Sequence, residues 1–362
     1  MARLGIVILG LSITSSWGNG HATTYRGLVR ALHARGHDVL FLERDKPWYA
    51  QHRDLPELPY GRLALYGSME ALKQEYRDAV RNADLVMVGS YVPEGIAVGE
   101  WVLSMARGVR AFYDIDTPVT LTQLATDACP YVARRQIPEY DLYLSFTGGP
   151  TLRRLEREFG ARRAAALYCS VDPMHYHPEP VAECWDLGYL GTYAPDRQPI
   201  LERLFMQPAQ QWDAGRFVCA GPQYPAETPW SDNVLRMEHL SPAEHRLFYN
   251  RQRFTLNVTR ADMVRLGWSP SVRLFEAAAC ATPIISDRWA GLESVFTPGK
   301  EIAVADSSDD VLTLLRRMPA EQRIALGERA RCRVLTEHTS DHRAEELEHC
   351  MTTVRRSAAG VL

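Results

Sequence analysis

A chain of 362 residues exceeds what one hydrophobic core ordinarily serves and suits two α/β domains of roughly 170 residues each. Its 46% apolar content, 23% charged content and formal net charge of −3 exclude a disordered chain and an overall field that favours nucleic acid or an anionic membrane. Seven cysteines, at 129, 169, 184, 219, 280, 332 and 350, include no C-x-x-C pair, which argues against a zinc site and a disulfide framework and points to a reducing cytoplasm. Lysine occurs only at 46, 73 and 300, so the basic side chains are nearly all arginine forks.

Leu4 to Leu9 is apolar on both faces and is followed by a glycine-punctuated loop, the pattern of a buried parallel strand. A signal peptide is disfavoured for this run, because Gly-Asn-Gly-His and an amphipathic helix follow it instead of a small-residue cleavage site. No segment approaches the roughly 18 apolar residues that span a bilayer. Tyr25, Leu28, Val29 and Leu32 recur at helical spacing, Gly36 stops that helix, and Asp38 to Leu42 returns as a strand, giving a right-handed βαβ unit. Leu72, Tyr76, Ala79 and Val80 predict another helix, and Leu85–Val88, Arg110–Tyr113 and Leu142–Phe146 predict further strands.

Prolines cluster after Val171, and residues 173–185 read as a linker between an N-terminal domain, 1–172, and a C-terminal domain, 186–338. In the second half, strands are expected at Asp186–Leu190, Arg216–Ala220 and Phe254–Val258, with helices at about 198–205 and 243–250. The segment 339–362 is expected as a last helix, with Ala344, Leu347, Met351 and Val354 on one stripe.

Residues Ser269–Ser286, SPSVRLFEAAACATPIIS, carry the most chemistry. Ser269 suits an N-cap and Pro270 the first helical position, so a helix is expected from there to about Cys280, with a short strand Pro-Ile-Ile-Ser after it. The amides of Ser271 and Val272 and the positive end of the helix suit a diphosphate, with Arg273 beside them. Glu276, embedded among Leu274, Phe275 and three alanines, is placed to accept hydrogen bonds from both ribose hydroxyls. The bland alternative is an i,i+3 surface ion pair between Arg273 and Glu276, worth only a few tenths of a kcal/mol.

This stretch, continued through Asp287-Arg-Trp-Ala-Gly-Leu-Glu-Ser-Val-Phe and Glu301-Ile-Ala-Val, resembles the donor half of GT-B glycosyltransferases, and most closely the CgeB-like group. The likeness extends upstream through Phe254-Thr-Leu-Asn257 and Asp186-Leu-Gly-Tyr-Leu-Gly-Thr-Tyr-Ala-Pro-Asp-Arg197 and covers most of residues 140–310; residues 1–140 match only the general pattern. It implies an α/β fold of two Rossmann-like domains facing a cleft, with a C-terminal helix crossing back to the first. The implied activity moves a sugar, expected to be a hexose, from a nucleoside-diphosphate sugar to an acceptor hydroxyl, with neither cofactor nor metal. The rival readings are a sugar-nucleotide epimerase of the same fold and a non-catalytic nucleotide-sugar-binding protein of spore or envelope. Nucleic acid is not expected as a partner.

The resemblance also transfers Gly191, Thr192 and Arg197 to the diphosphate, and His239 and Leu240 to the base through backbone groups. Retaining members carry two glutamates eight positions apart; here Trp268 stands at the first position, where it either stacks on the sugar or packs structurally. In the first half, Gly18, Asn19 and Gly20 are expected to form a donor-lining loop. His21 after them resembles the general base of inverting members, while His37 reads as structural. Asp114 and Asp116 are the acids available to orient His21 or to bind sugar hydroxyls, with Asp116 equally read as a cap for the next helix. His21 argues for inversion and the donor helix for retention, so stereochemistry stays open. The D-x-D at 114–116 is read as coincidental, and His175 and His177 as solvated linker residues.

Overall fold

The computed structural model describes residues 3–359, so residues 360–362 of the expected last segment lie outside the described residues. The chain divides into two compact units, Met1–Cys169 with Ser340–Leu362, and Ser170–Thr339. The proline-rich stretch 173–185 therefore belongs to the second unit.

In the first unit seven parallel strands form one sheet: β1 (Gly5–Gly10), β2 (Asp38–Arg44), β3 (Arg62–Tyr66), β4 (Leu85–Gly89), β5 (Val109–Asp114), β6 (Leu142–Ser145) and β7 (Ala164–Ala166). Their order is β3-β2-β1-β4-β5-β6-β7, so the winding reverses between β1 and β4. Ligands of doubly wound sheets bind beyond the carboxyl ends of the strands at such a reversal. The strands read β1, β2, β4, β5 and β6 from sequence are present, each with an apolar run closed on both faces. β3 and β7 lie at the two edges and keep half-exposed residues, which removes the continuous apolar signature. The expected helix around Leu72 to Val80 is broken into Met69–Glu75 and Arg77–Asn82 at Tyr76.

The second unit holds β8 (Trp185–Leu190), β9 (Phe217–Ala220), β10 (Val234–Met237), β11 (Gln252–Asn257), β12 (Ile284–Ser286) and β13 (Ala303–Val304), parallel and ordered β10-β9-β8-β11-β12-β13. Its winding reverses between β8 and β11.

The last helix, Ser340–Ala359, packs in the first unit, where Ala344, Leu347 and Met351 join Leu28, Leu32 and Val39 in the core. Gly27 permits the close approach, since a Cβ there would lie 2.2 Å from Ser340 Oγ. A buried polar clasp fastens the contact. Glu348 accepts from Arg35 Nε (2.7 Å) and Nη2 (2.8 Å) and meets His37 Nε2 at 2.8 Å. Because His37 Nδ1 accepts the Leu4 amide at 3.2 Å, the ring's proton sits on Nε2 and is donated to Glu348. His37 is thus a structural residue, as read from sequence.

The Arg35 and His37 contacts hold the Glu348 carboxyl down to about 2 from its ordinary 4.5. A folded-state pKa below the unfolded one contributes stability above the unfolded value and loses it as pH falls through the folded value. Glu348→Gln should therefore lower unfolding free energy by about 1–3 kcal/mol at neutral pH. The gap from wild type should narrow as pH drops from about 4.5 toward 2, measured by denaturant unfolding across that range.

Candidate functional site

In the second unit, the alanine-rich helix spans Val272–Ala279, with Ser271 as N-cap residue in an extended conformation. It starts two residues later than the sequence predicts. Ser269 Oγ donates to Gly267 O (3.1 Å) instead of capping, and both Ser269 and Pro270 are buried. Ser271 Oγ donates to Asn257 Oδ1 (3.0 Å), so it caps nothing either. Leu274 is the first amide to turn back, onto Ser271 O (3.1 Å), which leaves the Val272 and Arg273 amides without a partner inside the helix. The amides without a helical partner are therefore those of Val272 and Arg273, one residue on from the expected pair, Ser271 and Val272.

Arg273 is 8% exposed and lies across the reversal point. Its Nε donates to Leu190 O at the end of β8 (2.6 Å) and its Nη1 to Asn257 Oδ1 at the end of β11 (3.0 Å), while the guanidinium stacks on Tyr189 at 4.9 Å. Gly191 allows this, because a Cβ there would come within 2.9 Å of Arg273 Nη2. Thr192 and Arg197 close the same loop, Arg197 Nη2 donating to Thr192 O (2.8 Å). Gly191, Thr192, Arg197, Ser271, Val272 and Arg273 thus converge on the carboxyl ends of β8 and β11. Beneath them Asp287 accepts from the Thr259 amide (3.1 Å) and hydroxyl (2.9 Å), and burial pushes its pKa up to about 6.

Glu276 is 3% exposed and faces the other way, toward the helix Pro242–Asn250. Tyr249 Oη donates to its Oε2 (3.0 Å), and His245 Nδ1 stands 3.7 Å from the same oxygen. The Tyr249 hydroxyl is held well above its ordinary pKa, first by burial and then by Glu276, so it remains a donor. His245 Nε2 meets Leu240 O at 3.3 Å, which joins Leu240 to Glu276 through one imidazole. His239 beside it is exposed. Arg273 and Glu276 are both buried and turned to different partners, which rules out the surface ion pair.

Trp268 is half-buried and adopts φ +46°, an unfavourable region for a bulky residue, held by its amide donating to Ala290 O (2.6 Å). Its placement is thus imposed by the loop. His175 is exposed, as expected, with Asp172 Oδ2 at 2.8 Å, while His177 is half-buried beside Arg246 Nη1 at 3.0 Å.

In the first unit, His21 opens the helix His21–Ala34 after β1, and its ring lies 6.3 Å from Tyr91 and 6.0 Å from Phe146. Tyr91 follows β4 at φ +63° and donates to Asp116 Oδ2 (2.8 Å). His21, Tyr91 and Asp116 therefore gather at the reversal between β1 and β4. Asp116 occupies the N-cap position of the helix Thr117–Leu124, yet its carboxylate makes no capping bond.

Two sequence assignments in this unit need correction. Asp114 is fully buried, its carboxylate accepts from Tyr143 Oη (2.6 Å) and Thr120 Oγ1 (2.7 Å), and burial pushes its pKa up to about 6. It is closed off from solvent and organises the strand ends. Asn19 is 3% exposed, its Nδ2 donates to Ser12 O and Ser15 O (3.1 Å each), and its Oδ1 accepts the His21 amide (3.2 Å). It builds the loop and sets His21 instead of lining a donor site. Gly18 supplies a positive φ of +60°, and Gly20 starts the helix.

Asn257, Asp287, His245, Tyr249 and Tyr91 were not picked out from sequence. Asn257 and Asp287 carry a usable signal, a polar residue closing an apolar strand. The others show none, because their partners lie 25 to 27 or more positions away.

Residues 197–349 match the family model described as glycosyl transferase-like. Among solved structures, a sucrose-phosphate synthase from Thermosynechococcus elongatus superposes with a TM-score of 0.69 at 14% identity, covering 98% of this chain and 100% of that one. Anabaena HepE in complex with UDP and glucose gives 0.69 at 12% identity, over 97% and 100%. An alpha-glucosyltransferase in complex with UDP and a 13-mer DNA gives 0.69 at 12%, over 97% and 100%. No match is found among curated proteins. Among the described residues no helix is long and apolar enough to cross a membrane. Residues 197–349 are thus similar to glycosyl transferase-like domains, and the two parallel sheets share the GT-B fold of these solved structures.

Proposed function

We propose that the protein is a glycosyltransferase of the CgeB-like kind that moves a hexosyl group from a nucleoside-diphosphate sugar to an acceptor hydroxyl without a metal ion. One observation carries this reading: a helix N-terminus at the reversal point of the second sheet, with Arg273 on one flank and buried Glu276 on the other. The open Val272 and Arg273 amides and the dipole favour a diphosphate. Arg273 has donors beyond the two used for Leu190 and Asn257, and Arg197 adds a second fork. Glu276 takes the ribose, and the His239-Leu240 backbone the base. The UDP held by HepE and by the alpha-glucosyltransferase makes a uridine nucleotide the first candidate.

In this mechanism the acceptor oxygen attacks the anomeric carbon and its proton passes to a general base, the role that the resemblance gives to His21. The bond from that carbon to the diphosphate breaks, and the leaving group keeps the electron pair. Arg273, Arg197 and the helix amides stabilise the charge that develops there, preorganised because each is already fixed by the fold. Tyr91 and Asp116 position the His21 ring.

UDP at about 100 times its dissociation constant should stabilise the second unit by roughly 2.7 kcal/mol, read as a rise in melting temperature. Glu276→Gln, which keeps the volume but weakens the acceptor, should loosen UDP about tenfold or more; unchanged affinity would remove Glu276 from the ribose site. Asp114 and His21 of the first unit separate by different readouts. Asp114→Ala should cost about 2–3 kcal/mol of stability by orphaning the Tyr143 and Thr120 hydroxyls. His21→Ala should change stability little yet lower transfer by about 10²–10⁴-fold, seen as released UDP with acceptor present.

A further inference from the structure

Two tryptophans with large exposed faces stand in the loops after β1 and β2, neighbouring strands of the first sheet: Trp17, 41% exposed, and Trp48, 50% exposed. Both loops leave the carboxyl ends of their strands, the edge at which His21 and Tyr91 gather. Indole is normally withdrawn from water, and its exposure at a binding edge marks a contact surface.

The base under Trp17 is stiff. Glu43, fully buried at the end of β2, accepts from the Ser12 hydroxyl (2.9 Å), the Ile13 amide (2.7 Å), and the Thr14 amide (3.0 Å) and hydroxyl (2.6 Å). Asp54 accepts the Ser16 amide (2.8 Å) and is gripped by both terminal nitrogens of Arg26 (2.8 and 3.0 Å). Ser15 Oγ donates to His52 O (2.8 Å), and the Leu55 amide to Thr14 O (3.0 Å). On this zipped pair of loops the Trp17 and His52 rings stack at 4.5 Å and 13°. His52 covers one face of the indole and props the other outward.

We infer that Trp17, backed by His52, is a stacking platform for a neutral saccharide, and that the acceptor is therefore a sugar. This rests on the glycosyltransferase reading above. A pyranose presents an apolar C–H face that packs on indole and a rim of hydroxyls that needs nearby donors and acceptors. The surroundings supply both in balance: Arg53 pairs with Asp45 (2.6 Å), Arg26 with Asp54, and Lys46 Nζ lies 5.5 Å from the Trp48 ring centre. With two of these three cations paired to carboxylates, the surface disfavours a phosphate-rich ligand, and the density of charge disfavours a protein interface, whose core is depleted of charge. An aromatic side chain brings large contact area with little rotamer entropy to lose, which suits a ligand with few apolar atoms.

The test uses the full chain labelled with 5-fluorotryptophan, the Trp17 fluorine resonance being assigned by its loss in Trp17→Phe. Cellotriose, maltotriose, chitotriose and mannotriose are titrated with and without UDP. At least one should move the Trp17 resonance saturably, and Trp17→Ala should raise the KM for that trisaccharide about tenfold while leaving the UDP melting shift unchanged. If UDP still shifts the melting temperature but no trisaccharide moves the Trp17 resonance, the platform is refuted and the donor reading stands. If a trisaccharide moves Trp17 but UDP, GDP and dTDP all leave the melting temperature unchanged, the saccharide site stands and the transferase reading falls. A KM unaltered by Trp17→Ala also refutes the platform.

Discussion

The guanidinium of Arg273 is the contact on which the second unit's site depends. It bonds the last carbonyl of β8 and the side chain that ends β11, so one residue at the start of a helix spans the point where the sheet changes direction. Arg273 is buried, and a buried cation without acceptors would be costly, so its partners must hold their places. Asn257 shares its oxygen between Arg273 and Ser271, and Asp287 fixes the loop that follows Asn257. The helix N-terminus is consequently held open at a defined height above the strands. That is the preorganisation a leaving diphosphate needs, because nothing has to move when charge develops.

The first unit solves a different problem with the same topology. Its reversal point gathers a set of phenols around two carboxylates. Asp114 is enclosed by Tyr143 and Thr120, and Thr120 also meets Tyr131 Oη at 2.7 Å. Asp116, two residues on, is reached by Tyr91. Asp116 is thus joined to Tyr91, whose ring lies 6.3 Å from His21, while Asp114 holds the strand ends. Their partners, Tyr143 and Thr120 for one and Tyr91 for the other, distinguish two aspartates that the sequence presents as a pair.

Much of the architecture was legible because parallel strands buried on both faces leave continuous apolar runs, as in Leu85–Gly89 and Leu142–Ser145. The edge strands Arg62–Tyr66 and Ala164–Ala166 escaped notice for the opposite reason: one side of each meets solvent. In the site, Arg273 and Glu276 stood out because charge inside an alanine-rich helix is conspicuous. His245 and Tyr91 did not, since an imidazole or phenol on an ordinary helix or loop is indistinguishable from dozens of structural ones.

Sequence alone determined the class of fold, the position of the alanine-rich helix and the identity of its two charged residues, because these depend on local periodicity and on the chemistry of side chains three apart. Tertiary structure alone decided where that helix begins, which way Arg273 and Glu276 face, and which aspartate of the first unit is enclosed. Those outcomes are set by partners brought together from distant strands, such as Asn257 with Ser271 and Tyr143 with Asp114. Hydrogen bonds across a sheet leave no period in the chain, so no reading of neighbours can recover them.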